Sequence, residues 1–193
     1  MSRFLRQQLW PAIAILVAMT FLTGVVYPAV VSAVAQVVFS TQANGSMIVV
    51  DGRTVGSSLI GQAFNEPEYF WGRPSAAGAD GYDGMASAGS NLGPTSRALI
   101  DRITAELDRL RAANGGGPVP VDLVTTSASG LDPDISPAAA TYQAARVAAA
   151  RGMSEQNVLA AIARHTEEPM LGFLGQPRVN VLELNLDLDG MTQ

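Results

Sequence analysis

The sequence predicts a single transmembrane helix near the N-terminus followed by a small α/β (α+β) extracytoplasmic domain. Three observations predict it. No residue between Arg6 and Asp51 is charged, and Trp10 to Phe39 is an almost unbroken apolar run. Further along, apolar residues recur at helical spacing in Leu99, Ile100, Ile103, Leu107 and Leu110. Near the end, Leu182, Leu184, Leu186 and Leu188 alternate with Glu183, Asn185 and Asp187, the period of a half-buried strand.

About 20 helical residues, rising about 1.5 Å each, cross a hydrocarbon core about 30 Å thick, and Pro11 to Val31 supplies them. Trp10 suits the near interface, and Pro28 is expected to kink or end the helix. Arg3, Arg6 and the amino terminus precede the span, whereas no basic residue follows it until Arg53. The positive-inside rule therefore places residues 1–8 in the cytoplasm, 9–39 in the membrane and its exit, and 40–193 in the periplasm. Ala33-Val34-Ala35 resembles a signal-peptidase site, but the apolar run is longer than the about 7–15 residues of a signal core, so an anchor is favoured.

In the soluble part, Ser46 to Val50 reads as a strand ending in an Asp51-Gly52 turn. Residues 72–93, rich in Gly, Ala and Ser, read as a long loop. Pro94 opens the first amphipathic helix, with Arg97–Asp101 and Arg102–Glu106 as i,i+4 pairs, and Asn114-Gly115-Gly116-Gly117-Pro118 stops it. Val121 to Thr126 is expected to be a strand. Ser136 and Pro137 cap and start an alanine-rich helix to about Arg151, stopped by Gly152. Ser154 caps a further helix with a stripe of Val158, Leu159 and Ile162.

Composition excludes several chemistries. The chain of 193 residues carries a net charge of -5, and its 12 basic residues are all arginine, which disfavours a nucleic-acid partner. Without lysine it has no phosphate-binding Walker lysine, no Schiff base and no Asp-Lys-Thr-Gly phosphorylation loop. Without cysteine it has no disulfide or thiolate metal site. Asn185-x-Asp187-x-Asp189-Gly190 copies the start of a calcium loop but lacks the glutamate at position 12. His165, the single histidine, would have to serve any hydrolase with Ser90, Ser127 or Ser129, none of which lies in a nucleophile elbow. Gly89 to Gly93 before a helix is a weak anion site, and Thr125 to Gly130 reads as a loop whose hydroxyls bond the local backbone. Tyr69, Phe70, Trp71 and Arg73 are equally candidate partner-interface anchors and core residues beside a turn. The residues alone thus reach a membrane-anchored interaction module, with a secreted hydrolase using His165 as the weaker alternative.

Several strings together resemble one family, the C subunit of the Kdp-type potassium-transporting P-type ATPase. They are Tyr27-Pro28, Ala43-Asn44-Gly45-Ser46, Gly56 to Gln62, Tyr69 to Ala76, Gly89 to Pro94, Ser129-Gly130-Leu131-Asp132-Pro133, Arg146-Val147-Ala148 and Arg178 to Leu186. Asp134 stands where the family commonly has histidine and Gln176 where it often has glutamate. The resemblance implies a non-catalytic subunit that works with a potassium-selective A subunit, an ATP-hydrolysing B subunit and a small F peptide. ATP and potassium would be handled by those partners, with no cofactor held by this chain. Two family roles follow: raising the ATP affinity of the B subunit, with Gln143 suggested as a nucleotide contact, or capping the potassium entrance of the A subunit.

Overall fold

The structure, a computed structural model, describes residues 2–191, with side chains from 7 to 190. Met1 and the side chains of Arg3 and Arg6, on which the orientation of residues 1–8 rests, lie outside the described residues. The chain divides into two compact units, Met1–Met47 and Ile48–Gln193.

The first unit is helical. Helix α1 (Ser2–Phe21) runs through a π-helical turn (Leu22–Val26) into α2 (Tyr27–Val38), and Gln7–Val38 is apolar enough to cross a membrane, with a mean hydropathy of 2.2 in an 18-residue window and no buried residue. Pro28 does not end the helix as expected. It cannot donate to the Gly24 carbonyl, and the backbone absorbs the defect one turn earlier, where Tyr27 N–H reaches five residues back to Leu22 O. Such a π-turn is a common way to carry an irregularity inside a long helix. The helix breaks at Phe39, and a short α3 (Ser40–Ala43) follows. There Asn44 and Gln36 exchange amide hydrogen bonds of 3.3 and 3.4 Å.

The expected strand, β1 (Met47–Val50), carries the chain into the second unit and pairs with an unforeseen partner, β2 (Arg53–Ser57). Asp51 and Gly52 both adopt positive φ, 50° and 75°, the backbone of a type I′ hairpin turn. Irregular chain then occupies residues 58–96, and α4 spans Arg97–Asn114 with Ser96 as its N-cap. Pro94 therefore lies ahead of the helix, which removes the anion-site reading of Gly89–Gly93 at a helix start. Glu106 pairs with Arg109 at 2.5 Å rather than with Arg102.

Val121–Leu123 is a 3-10 turn, not a strand. The Asp122 carboxylate accepts the Ser136 N–H at 2.7 Å, so this stretch braces the next helix instead of extending a sheet. β3 (Asp134–Ile135), α5 (Pro137–Arg151) and α6 (Glu155–Arg164) follow, the helices capped by Ser136 and Ser154 as their sequences require. In α6 the buried stripe is Val158, Ala161 and Ile162, with Leu159 turned toward solvent. The second sheet adds β4 (Thr166–Glu167) and β5 (Arg178–Asn180) in the antiparallel order β3-β5-β4.

The larger departure is α7 (Val181–Met191), where the leucine alternation predicts a strand. Only Arg178–Asn180 is extended. The helix prevails because Val181, Leu184, Asn185 and Leu188 fall on one buried face, the i, i+3, i+4, i+7 pattern. The Asn180 side chain also accepts the Glu183 N–H at 3.1 Å, a cap that starts a helix. Val179 at the centre of the sheet joins Ile135, Val147, Val158, Leu184 and Phe70 in the core. Alanines 139, 140, 144 and 148 keep α5 thin enough to lie among its neighbours.

Candidate functional site

Gln143 and the Tyr69-Phe70-Trp71-Gly72-Arg73 string, separate in sequence, form one site. The string belongs to the irregular stretch, yet Phe70 and Trp71 are only 0% and 7% exposed. A buried extended backbone must have its N–H and C=O groups paired. A neighbouring strand normally does this; here two side-chain amides do. Asn185 of α7 accepts the Phe70 N–H at 2.8 Å and donates to Phe70 O at 3.1 Å. Gln143 of α5 accepts the Trp71 N–H at 2.9 Å and donates to Trp71 O at 3.1 Å.

Gln143 also accepts from Arg146 Nη2 at 2.7 Å and donates to Ala139 O at 3.3 Å. Its oxygen thus takes two donors and its nitrogen gives both protons, the whole capacity of a carboxamide. With 0% exposure, the side chain has no group left for a nucleotide. Arg146, one helical turn on, donates to Tyr69 O at 3.0 Å, to Pro67 O and to Asn114 Oδ1 at 3.0 Å, and its guanidinium lies 4.0 Å from the Trp71 ring centre. Burial, then the nearby charge of Arg109, pulls its pKa down to about 10, so it remains cationic at neutral pH. Arg109 lies 4.1 Å from the same ring centre, a favourable placement over an aromatic face.

Further along the string, Arg73 pairs with Asp132 at 2.8 Å and donates to Thr125 O at 3.3 Å. Tyr82 donates to Arg73 O. Burial, reinforced by the Asp132 charge, pushes the Tyr82 phenol up to about 12, so this donor persists across the physiological range. At the other end Arg151 donates to Glu68 O at 2.7 Å and pairs with Asp189 at 2.8 Å. The two readings of the aromatic string divide by residue: Phe70 and Trp71 are core, whereas Tyr69 and Arg73 keep partial exposure.

A recess of about 250 Å³ opens beside this strap, lined by Phe64, Trp71, Arg73, Tyr82, Glu106 and Arg109. That volume is below the about 300 Å³ at which ligand pockets usually begin, and Gln143 does not line it. Ser127 and Ser129 are occupied in accepting the Gly130 and Leu131 N–H groups at 2.9 and 3.1 Å. His165 is the C-cap of α6, with Nε2 3.1 Å from Asp187 Oδ2. Among the described residues no serine side chain is hydrogen-bonded to it, and no cluster of His, Asp and Glu suits a metal. The calcium-like string is dispersed along α7: Asn185 holds Phe70, Asp187 meets Arg164 and His165, and Asp189 meets Arg151.

Sequence reasoning missed Asn185 as a structural ligand and Arg151 as an anchor of the strap. A signal for the first was present, since an asparagine inside the 181-184-185-188 apolar stripe is a buried polar group in search of a partner.

Fold and site together define a class: a small α/β domain joined to one N-terminal helix long and apolar enough to cross a membrane, with the buried amides of Gln143 and Asn185 committed to its own backbone. Within that class the chain belongs to the KdpC family, the K+-transporting ATPase c chain, which it matches over residues 9–190. It is 58% identical to the potassium-transporting ATPase KdpC subunit of Sorangium cellulosum, over 93% of this chain and 96% of that one. It is 56% identical to the KdpC subunit of Herpetosiphon aurantiacus, over 93% and 94% of the two chains. The KdpC subunit of Gemmatimonas aurantiaca is 55% identical over 96% and 94%.

Proposed function

We propose that this chain is a non-catalytic subunit of a potassium-transporting ATPase. It crosses the inner membrane once with its N-terminus in the cytoplasm, and its α/β domain stands on the opposite side with the A, B and F subunits as partners. The domain supports assembly and shifts the ATP affinity of the hydrolysing subunit indirectly. The observation that carries the indirect mechanism is the saturated, buried amide of Gln143: a side chain with every donor and acceptor engaged inside its own fold has nothing to offer ATP. Any influence on ATP affinity is then a coupling through the partner subunits, commonly about 1–3 kcal/mol or about 5- to 150-fold. The arginines before the span and their absence after it until Arg53 support the orientation. A cap over the potassium-entry side of the A subunit is compatible with the same topology.

Two measurements test this reading. Purification in mild detergent should bring the pump subunits down with this chain. Single cysteines at the exposed Asp108 or Gln156 should react with a membrane-impermeant maleimide in intact spheroplasts. Labelling only after lysis would reverse the topology.

A further inference from the structure

β4 and β5 form a hairpin whose strands are joined by residues 168–177, and the base is closed by the Glu167–Arg178 register pair and its 2.7 Å ion pair. The tip of this arm is apolar and bare: Met170, Leu171, Phe173 and Leu174 are 68%, 81%, 76% and 58% exposed. It is also ordered by its own backbone. Met170 and Leu174 exchange hydrogen bonds of 3.1 and 2.9 Å, and Gly172 N–H reaches Pro169 O at 2.8 Å. The turn between them puts Leu171 at φ 57° and Gly172 at φ 78°. Glycine takes that conformation freely, and asparagine with little penalty, whereas a bulky side chain takes it at a cost. Leucine there combines backbone strain with an apolar surface left in water, and nothing within the fold offsets either.

From this arm we infer a docking knob for a second subunit of the pump, one that offers an apolar socket with a basic side chain at its rim; the inference rests on the function proposed above. The socket must be apolar to receive Leu171 and Phe173, the interface-core pattern of aromatic and aliphatic anchors. Its rim must carry a basic side chain to meet Glu168, which stands exposed at the base of the knob, since Glu167 beside it is already met by Arg178. A hollow of about 530 Å³ beside the tip, lined by Glu168, Pro169, Met170, Leu174 and Gln176, can receive a side chain in return. Charge argues against the bilayer as the occupant. Surface-inserting segments set Trp, Phe or Leu against a face rich in Lys and Arg, whereas this chain has no lysine, residues 168–177 hold no basic residue, and Arg178 is paired with Glu167 and Asp134.

The test uses the full chain within the purified pump. p-Benzoylphenylalanine in place of Phe173 should photo-cross-link to another pump subunit. The pair L171N/F173S, in which asparagine accepts the turn conformation, should raise the fraction of this chain lost on detergent dilution about tenfold or more. Its melting temperature should stay within about 2 °C of the parent's, as for substitutions of exposed residues. If the parent chain co-purifies and L171N/F173S is retained equally well, the knob is overturned and the subunit assignment stands; if the parent does not co-purify, both fall. A cross-link only between two copies of this chain, or quenching of F173W by brominated phosphatidylcholine in reconstituted vesicles, would also overturn it.

Discussion

Removing the Gln143 amide separates a structural role from a nucleotide-binding one. In Gln143→Ala the Trp71 N–H and C=O lose partners at 2.9 and 3.1 Å in a place water does not reach. Arg146 loses the acceptor at 2.7 Å. Each buried backbone group left unpaired costs about 1–3 kcal/mol, so the variant should be less stable by about 4 kcal/mol. For a domain of this size that is a fall of about 8–16 °C in melting temperature, readable by circular dichroism or dye fluorescence on the full chain in detergent. ATP should move neither melt. A ligand at a hundred times its Kd would stabilise by about 2.7 kcal/mol, or about 5–10 °C, which is easily seen. Below the variant's melting temperature, the assembled pump should keep its apparent ATP affinity within about a factor of two, short of the usual allosteric range. The reasoning is refuted if ATP raises the parent's melting temperature by about 5 °C or more, and Gln143→Ala abolishes that rise without changing the ligand-free melt.

Two further substitutions probe other joints. Gly130 sits at φ 68°, and a Cβ there would meet Ala88 O at 2.5 Å and Ala77 N at 2.8 Å. Gly130→Ala should therefore cost about 3 kcal/mol or more in denaturant unfolding, and a loss under about 1 kcal/mol would show that residues 77 and 88 yield. The carboxyl of Asp134 is held above its ordinary pKa, chiefly by burial, with Asp132 and Glu167 adding to the Arg178-opposed shift. A raised folded pKa means that the ionised form weighs against the fold, so stability rises as pH falls toward the unfolded value of about 3.9. Asp134→Asn should melt higher than the parent at pH 7, and the gap should close as pH approaches about 4. A gap that widens on acidification would contradict the sign.

Legibility in the sequence followed the range of the interaction. Ser136-Pro137 with Gly152, and Ser154 with its apolar stripe, are local signals, and α5 and α6 appear where those residues place them. The apolar run before Asp51 was equally plain, although the effect of Pro28 was displaced into the preceding turn. Leu182 to Leu188 misled because alternation can satisfy two periods at once, and the deciding residues, Asn180 as cap and Asn185 as a buried ligand, are polar. Val121–Leu123 failed as a strand because its fate depends on Asp122 reaching Ser136, which no window of neighbouring residues contains. The clamp itself was invisible for the same reason: Gln143 meets Trp71 across 72 positions and Asn185 meets Phe70 across 115. The resemblance singled out Gln143, but only the buried contacts show what the residue does.

That long separation has a consequence for biogenesis. A ribosome delivers the chain N-terminus first, so the backbone groups of Trp71 wait for Gln143, 72 positions later, and those of Phe70 for Asn185, 115 positions later. At about 5–20 residues per second the longer wait is about 6–23 s, far longer than the microseconds in which apolar segments collapse. Throughout that interval the nascent chain carries an unpaired, aromatic, strand-like stretch, the kind that invites wrong pairing with other chains. Completion of α7 ends the hazard, which makes this protein's productive yield depend on whatever shields an early segment until the codons of that helix are read.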